Sequence, residues 1–326
     1  MKKKQIAGIV IAAAVFLVVS IAGVATASSL NRSFLSLLDR QSERYSAEPL
    51  GDSVAVVDIV GTIAATSYDM LGNPTGSYDQ DAILELIDDM KYSDSNKGLL
   101  LYIDSGGGAV YQSDEVYLAL MDYKQTTGRP IYAYAADTMA SGAYYIACAA
   151  DKIFANRNST VGSIGVYIQL VNYSGLYEKL GIDGEYIKSG ANKAMGNSFD
   201  ALTDEQRAIY QGVVDECYDQ FLDIVCASRG YTRAEALPIC DGRIYTAAQG
   251  LANGLIDDAD GSYEDALYEF MDLCGVDDVY YRSYSYNSWL SLLTGLFESS
   301  TKSETERALE MIENSESGVP MYAYAG

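Results

Sequence analysis

Residues 98–108 read GLLLYIDSGGG, an apolar run that ends in an acid, a serine and three glycines. Four of the first six residues are large aliphatic side chains and no charged residue interrupts them, which is typical of a strand buried on both faces of a sheet. The glycines allow a sharp turn into the helical pattern that begins at Val110. A buried strand that leads through a glycine turn into a helix predicts an α/β protein.

Short apolar runs and helical stretches alternate on both sides of this segment. We predict strands at 54–63, 98–103, 131–135, 153–155, 165–171 and 185–188. We predict helices at 83–90, 110–126, 141–150, 173–180, 203–229 and 262–274. The helix at 203–229 has the clearest signals, because Thr203 and Gln206 form a capping box and Gly230 can end it. The pattern predicts one α/β domain with a mainly parallel sheet and surrounding helices.

The N-terminus carries an apolar segment of membrane length. Residues 2–4 are lysines, and residues 6–27 contain no charged side chain. This segment is long enough for a bilayer core, which needs about 20 residues, and its length favours an uncleaved anchor over a cleaved signal. Residues 25–27 (ATA) nevertheless offer a small-x-small cleavage pattern. The lysines favour a cytoplasmic N-terminus, so we expect a single-pass protein of the cell membrane with its catalytic domain outside the cytoplasm.

The chain is strongly acidic, with a net charge of −23 over 326 residues. Because residues 1–28 hold three lysines and no acid, the remainder carries −26, which argues against nucleic acid as a partner. Five cysteines without CxxC spacing, and no histidine, indicate neither a disulfide framework nor a metal site. Neither a phosphate-loop nor a dinucleotide-binding motif is present, so we expect no cofactor.

A second segment, MASGAYY at residues 139–145, places Ser141 where a strand is expected to end and a helix to begin. Such a serine often only caps its helix. If Ser141 is instead a nucleophile, its base cannot be a histidine, because the chain has none. A lysine can serve once burial has lowered its pKa from about 10.4 to roughly 7 to 8. A Ser-Lys dyad is therefore the first chemical hypothesis.

Four motifs, taken in order, resemble those of a known peptidase family. They are Asp-Ser-x-Gly-Gly at 104–108, Met-Ala-Ser-Gly-x-Tyr-Tyr at 139–145, Gly-Ser-Ile-Gly-Val at 162–166 and Lys-Ser-Gly-x-x-Lys at 188–193. Over residues 53–273 the chain resembles the signal peptide peptidase A family in its short, single-repeat form. The resemblance implies a membrane-anchored serine endopeptidase of the ClpP/crotonase fold that degrades cleaved signal peptides through an acyl-enzyme.

The resemblance implies a role for each matched residue. Ser141 corresponds to the nucleophile and Lys193 to the general base. Ser163 matches the serine whose hydroxyl orients the lysine amine. The backbone N–H groups of Gly108 and Gly142 match the oxyanion hole, which stabilises a tetrahedral intermediate.

Three local features bear on these assignments. Lys193 has small and apolar neighbours within residues 191–195, which predict a desolvated amine, although most loop lysines are solvated. The turn before Gly108 has Gly106 where the family usually has proline, so a looser turn is expected. Residues 196–199 also lack a proline that is often present there.

The resemblance further implies partners. Related proteins form ring-like oligomers, here expected as an octamer-like dome, in which the lysine of one protomer can serve the serine of its neighbour. The substrates are expected to be extended peptides, such as remnant signal peptides. The end of the chain, MYAYAG at 321–326, is also apolar with small residues, so we predict that it can enter a substrate groove, unless it is simply a disordered end.

We expect four regions along the chain. They are the cytoplasmic lysines and membrane anchor at 1–28, a linker at 29–52, a peptidase domain at 53–284, and a C-terminal helix with a flexible tail at 285–326. Two other functions suit the same fold. A crotonase-type acyl-CoA enzyme shares the oxyanion arrangement, but an export anchor argues against cytoplasmic CoA substrates. A catalytically silent scaffold that binds peptides or membrane partners would tolerate Ser141→Ala, whereas a protease would not.

Overall fold

The structure is a computed structural model that describes residues 51–68, residues 74–282 and the backbone of Met321–Ala323. The predicted membrane anchor at 6–27 lies outside the described residues, and so do the predicted C-terminal helix and most of the tail. Among the helices of the described part, none combines the length and the apolar character that crossing a bilayer requires.

The chain divides into two compact units. One comprises residues 49–279 and 284–326 and contains nearly all of the described elements. The other comprises residues 1–48 and 280–283, of which only 280–282 are described.

A mixed sheet with helices around it forms the larger unit. The described chain has the strands β1 (Ser53–Val60), β2 (Ser67–Tyr68), β3 (Pro74–Thr75), β4 (Asn96–Ser105), β5 (Gly107–Ala109), β6 (Ile131–Ala140), β7 (Lys152–Ala155), β8 (Thr160–Gly162), β9 (Ile244–Thr246), β10 (Asp278–Tyr281) and β11 (Met321–Ala323), of which β2 with β3 and β5 with β11 form two separate two-stranded sheets. Its helices are α1 (Gln80–Tyr92), α2 (Val110–Thr127), α3 (Gly142–Ala147), α4 (Ser174–Leu180), α5 (Asp204–Arg229), α6 (Arg233–Ala236), α7 (Ala247–Ala252) and α8 (Tyr263–Cys274).

The sheet is mainly parallel. The strand order includes β1-β4-β6-β8-β9, and β7 also pairs with β6. The β1–β4, β4–β6, β6–β7 and β6–β8 pairs are parallel, whereas β8–β9 is antiparallel. The predicted α/β fold with a mainly parallel sheet is therefore confirmed.

The central strands supply the core. In β1, residues 54–57 and Ile59 are at most 3% exposed, and in β4 residues 99–101 and Ile103 are fully buried. Full burial of one such aliphatic side chain contributes about 1.5 to 3 kcal/mol. The uninterrupted apolar run at residues 98–103 is thus explained by a strand that is covered on both faces.

Helix ends follow the capping signals of the sequence. Before α5, the Thr203 side chain accepts the Gln206 backbone N–H, and the Gln206 side chain accepts the Thr203 N–H, which confirms the predicted capping box. The helix ends at Gly230, whose φ of 71° suits glycine. Likewise α1 begins after the capping side chain of Asp79, and α2 ends at Gly128 with φ 68°.

Two predicted strands do not form within the described chain. Residues 165–171 and 185–188 contain no strand there. The position beside β6 belongs to β8, only three residues long, and β9 occupies the other edge of β8. Because both edges of β8 are paired, the apolar runs that follow it find no place in the sheet. The predicted helix at 141–150 is also shorter, since α3 spans six residues.

The parallel register brings three strand ends to one edge of the sheet. Ser105 at the end of β4 pairs with Met139, and Ala140 at the end of β6 pairs with Gly162 at the end of β8. The glycine turn, Ser141 and the residue after Gly162 therefore all leave the sheet at the same edge. In open parallel sheets this carboxyl edge is where ligands bind.

Candidate active site

Ser141 lies between β6 and α3 in a strained conformation. Its φ is 53° and its ψ is −119°, and the residue is 1% exposed. Its backbone N–H donates to the carbonyl of Gly162 at 2.7 Å, and its carbonyl accepts the N–H of Tyr145 at 2.9 Å. A non-glycine residue at positive φ costs about 1 to 3 kcal/mol and persists only where its surroundings enforce it.

The hydroxyl of Ser141 forms no hydrogen bond with any described residue. It makes no capping hydrogen bond to α3, and its buried Oγ has no hydrogen-bond partner among the described residues. Helix capping, the alternative to a nucleophile, is therefore not what this serine does. A buried, unsatisfied hydroxyl on a strained residue makes Ser141 a candidate functional residue.

Ser163 has nearly the same positive φ as Ser141 and follows the adjacent strand. It follows β8, has a φ of 51° and is 7% exposed. Its N–H donates to the carbonyl of Arg243 at 2.8 Å, in the segment that leads into β9. Arg243 is anchored in turn by a hydrogen bond of 2.6 Å from its Nε to Asp241.

Gly108 lies in β5, where only glycine fits. The backbone of Ile63 brackets it, because the Ile63 N–H donates to Gly107 at 3.0 Å and the Ile63 carbonyl accepts from Ala109 at 2.8 Å. A Cβ on Gly108 would lie 1.9 Å from the Ile63 carbonyl oxygen. Since strand residues alternate, the N–H of Gly108 points away from Ile63. The turn before it is braced by Ser105, whose Oγ accepts the Gly107 N–H at 3.1 Å.

Gly142 is the first residue of α3, the helix that starts directly after Ser141. The first N–H groups of a helix have no acceptor within it, so the Gly142 N–H is available to a ligand. Helix α3 packs against β5, which places Gly142 and Gly108 on neighbouring elements. The structure thus brings Ser141, Ser163 and the two glycines to one edge of the sheet.

Lys193 lies apart from this group. It occupies a turn within residues 190–196, where its N–H donates to Gly190 at 3.2 Å, and its side chain is exposed. Its Nζ makes neither a hydrogen bond nor an ion pair with any described residue. The described part of the chain therefore does not provide the predicted desolvation by residues 191–195, because the turn lies at its surface.

The segment that carries Lys193 has an aromatic cluster of its own. Tyr177 stacks on Phe199 with ring centroids 4.3 Å apart, and Tyr186 contacts the same ring at 6.1 Å. The hydroxyl of Tyr210 on α5 donates to the carbonyl of Met195 at 3.2 Å. These contacts shape the loop around Lys193 although it contributes no strand to the sheet.

A cavity of about 340 Å³ opens beside Ser163. It is lined by Ser163, Gly165, Val166, Tyr167, Val214, Asp215, Tyr218, Asp241 and Gly242. The carboxylates of Asp215 and Asp241 give this cavity an acidic wall. Arg243 already forms an ion pair with Asp241. Asp215 has no cationic partner among the described residues, so it is the carboxylate of this cavity that can attract an amine.

Cysteine is not an alternative nucleophile beside Ser141. Cys148 directly follows α3, and burial raises the pKa of its thiol to about 12. A thiol at that pKa stays protonated, and only the thiolate is reactive. All five cysteines are free. Within residues 51–68 and 74–282, no group of three or more cysteine or carboxylate side chains is placed to hold a metal ion.

The C-terminal strand β11 pairs with β5 in antiparallel register. Tyr322 is the partner of Gly108, and the flanking pairs are Met321 with Ala109 and Ala323 with Gly107. Because residues 107 and 109 use their backbone groups toward Ile63, the N–H and carbonyl of Gly108 face Tyr322. The backbone of residues 321–323 thus lies against the N–H that the family resemblance assigns to the oxyanion hole.

Comparisons with known proteins identify the chain. Residues 123–277 match Peptidase family S49. The Enterococcus faecium protein "Putative signal peptide peptidase SppA" is 31% identical over 92% of this chain and 89% of its own length. "Protease 4" of Haemophilus influenzae is 27% identical over 72% of this chain and 36% of its own. The protein is therefore a serine peptidase. It belongs to peptidase family S49, and the resemblance to signal peptide peptidase A that the four motifs predicted is confirmed.

A solved structure was also matched. It is the 1510-N membrane-bound stomatin-specific protease in complex with a substrate peptide, which is 14% identical and covers 76% of this chain and 100% of its own length, with a TM-score of 0.44.

Proposed function

We propose that this peptidase is an endopeptidase whose nucleophile is Ser141. The observation that carries the proposal is its buried Oγ, which has no partner among the described residues and belongs to a residue held at φ 53°. The oxygen attacks a peptide carbonyl, forms the ester of an acyl-enzyme and releases the amine half of the peptide, which takes up a proton. Water then attacks the ester, releases the carboxyl half and restores the Ser141 hydroxyl.

Two backbone donors support the tetrahedral intermediate in this proposal. The N–H of Gly108 points away from Ile63, and the N–H of Gly142 has no acceptor inside α3. Their elements pack together, so the two donors can converge on one oxyanion. Such a donor contributes about 3 kcal/mol to transition-state stabilisation.

We assign the general base to Lys193 and the orientation of its amine to Ser163. Lys193 is exposed and has no side-chain partner among the described residues, and the cavity beside Ser163 includes the carboxylate of Asp215, which can attract an amine. The base is therefore proposed to enter that cavity from a second copy of the chain. In the cavity it takes the Ser141 proton and later gives it to the leaving amine.

The surface of the Lys193 segment supports such an assembly. Leu176 is 51% exposed, Leu180 62% and Ile187 99%, and all three belong to the stretch that precedes the lysine. Neighbouring exposed aliphatic side chains are typical of an interaction surface. We propose that this surface packs on the next protomer of a homo-oligomeric ring, expected as an octamer-like dome.

The substrate is proposed to be an extended peptide that adds a strand to β5. The pairing of β11 with β5 supports this proposal, because a segment of the chain lies along this edge in antiparallel register. Recognition through backbone groups selects unfolded segments and suits remnant signal peptides. The name of the Enterococcus faecium relative supports this substrate class.

The location of the protein completes the proposal. Residues 6–27 are proposed to anchor it in the cell membrane as a single span, with residues 53–284 forming the extracytoplasmic peptidase domain. An anchored peptidase meets signal peptides where they remain after cleavage.

The test is peptide cleavage by the full chain in detergent. Ser141→Ala and Lys193→Ala should each lower kcat by about 10³-fold or more, while Lys188→Ala, an exposed lysine of the same segment, should leave it unchanged. The wild-type rate should rise with pH through one ionisation. Mixing the two inactive variants during assembly should restore part of the activity if the base comes from a neighbour. Full activity of Ser141→Ala would refute the proposed nucleophile.

A further inference from the structure

A closed triangle of hydrogen bonds joins helix α3 to two other helices. Tyr145, four residues after Ser141, is fully buried, and its hydroxyl donates to Oδ1 of Asp114 on α2 at 2.5 Å. Gln220 on α5 donates from Nε2 to the Tyr145 hydroxyl at 2.7 Å and to Asp114 Oδ1 at 3.1 Å. None of these side chains has a part in the chemical steps proposed above.

Tyr145 is also linked directly to the strained turn. Its backbone N–H donates to the carbonyl of Ser141 at 2.9 Å. Its ring contacts Tyr117 and Phe221 with centroid distances of 5.4 and 5.0 Å. One residue therefore connects the Ser141 backbone with the neighbouring helices, so a tilt of α3 would displace both Ser141 and the Gly142 N–H.

Helix α5 connects this triangle to the cavity beside Ser163. Val214, Asp215 and Tyr218 on α5 line the cavity beside Ser163, and Gln220 follows two residues after the last of them. The triangle therefore fixes the spacing between α3, which begins after Ser141, and the cavity wall that the general base is proposed to approach.

We propose that Tyr145 is a positioning residue for the peptidase reaction, acting through Asp114 and Gln220 to hold Ser141 and Gly142 in register with the cavity beside Ser163. The inference rests on the proposed role of Ser141. A helix of six residues has few internal hydrogen bonds with which to hold its own orientation. A fully satisfied polar network supplies the rigidity that a strained nucleophile turn requires.

The test compares two adjacent tyrosines in the full chain. Tyr145→Phe removes only the hydroxyl of the triangle. Tyr144→Phe is the matched control, because Tyr144 is also fully buried but its hydroxyl donates to the carbonyl of Leu255 at 2.6 Å. We expect Tyr145→Phe to lower kcat about tenfold with KM unchanged, while Tyr144→Phe lowers the thermal midpoint and leaves kcat unchanged.

A second variant guards against misfolding and tests the network. Gln220 is exposed, so Gln220→Met should fold normally and lower kcat severalfold. Combined with Tyr145→Phe it should cause no further loss, since both changes break the same triangle. The pH profile of each variant should keep the wild-type midpoint, because the base is unaltered.

Three results would overturn the positioning role. They are a wild-type kcat in Tyr145→Phe, an equal loss of kcat in Tyr144→Phe, and additive losses in the double variant. Ser141→Ala, assayed beside them, separates the two claims. If it stays active, the proposed nucleophile fails; if it is inactive while Tyr145→Phe is fully active, only the positioning role fails.

Discussion

Ser141 and Ser163 occupy equivalent positions on adjacent parallel strands, each directly after one member of the Ala140–Gly162 pair. Their φ angles are 53° and 51°, and no other non-glycine residue of the described chain has a positive φ. The Ser141 N–H donates to Gly162 at 2.7 Å, so the two turns share a hydrogen bond. Neighbouring strands lie about 5 Å apart, which puts the two strained serines side by side.

The strain at Ser141 predicts that glycine is a more stable replacement at this position than alanine. Glycine adopts this φ without strain, so we expect Ser141→Gly to be about 1 kcal/mol more stable than Ser141→Ala in urea unfolding. Ser159 is the matched control, because it is buried without positive φ and its Oγ donates to Ala135 and Ala136 at 2.9 and 2.6 Å. At position 159 the glycine variant should be less stable than the alanine variant. The same order at both serines would argue against strain at Ser141.

Gly108 is predicted to tolerate no side chain. Gly108→Ala should lower stability by about 2 kcal/mol and abolish most activity, because its Cβ would lie 1.9 Å from the Ile63 carbonyl and β5 would have to move. Gly212→Ala is the control, since that position in α5 has nothing within 4 Å of a new Cβ. It should raise stability slightly through helix propensity. Thermal unfolding and peptide cleavage of both variants check the prediction.

The pair Arg229–Asp257 predicts a pH dependence of stability. Burial disfavours the charged carboxylate of Asp257, but hydrogen bonds from Arg229 and from the Ile153 N–H outweigh it and lower the pKa of Asp257. A lowered pKa in the folded state means that the stabilisation is complete above the unfolded pKa of about 3.9 and is lost as pH falls through the folded pKa.

Asp257→Asn measures this contribution. We expect it to lower the free energy of unfolding by about 2 kcal/mol at neutral pH, and the difference from the wild type should shrink as the solution is acidified. Asp223→Asn, which breaks an ion pair between Arg233 and a carboxylate that is 70% exposed, should change little at any pH. A constant difference for Asp257→Asn down to pH 2 would contradict the assigned cause.

Local sequence patterns are sufficient to predict the parallel core and the positions of Ser141 and Ser163 at strand ends. The apolar run before Gly106 and the capping box at Thr203 depend on neighbours close in the chain, and both were confirmed. Residues 165–171 were misassigned because their fate depends on β9, which arrives some 80 residues later and takes the free edge of β8. A three-residue antiparallel strand gives no periodic signal.

The exposure of Lys193 could not be predicted from its sequence neighbours, because it also depends on residues that are distant in the chain. Small neighbours predict desolvation, but burial depends on what packs against the turn, and none of the described residues buries the Lys193 side chain. The bracketing of Gly108 by Ile63 was likewise missed, because it joins residues 45 positions apart through backbone groups alone. Side-chain patterns carry no information about such contacts.

The pairing of β11 with β5 predicts that the C-terminus competes with peptide substrates. Deleting residues 319–326 should lower KM severalfold and leave kcat unchanged, because the Gly108 edge would no longer be shared with Tyr322. Steady-state cleavage of one peptide by the full chain and the deletion variant measures this. An unchanged KM would mean that the tail does not occupy the edge in solution.

Two proline variants locate the competing contact. In the antiparallel register the Tyr322 N–H faces Gly108, whereas the Ala323 N–H points away from β5. Tyr322→Pro removes a donor that the pairing needs and should lower KM as the deletion does, while Ala323→Pro removes one that the pairing does not use and should leave KM near the wild-type value. If both prolines act alike, the tail binds through something other than this ladder. Since a substrate would use the same Gly108 groups, the pattern of the two variants also tests whether peptides bind as a strand on β5.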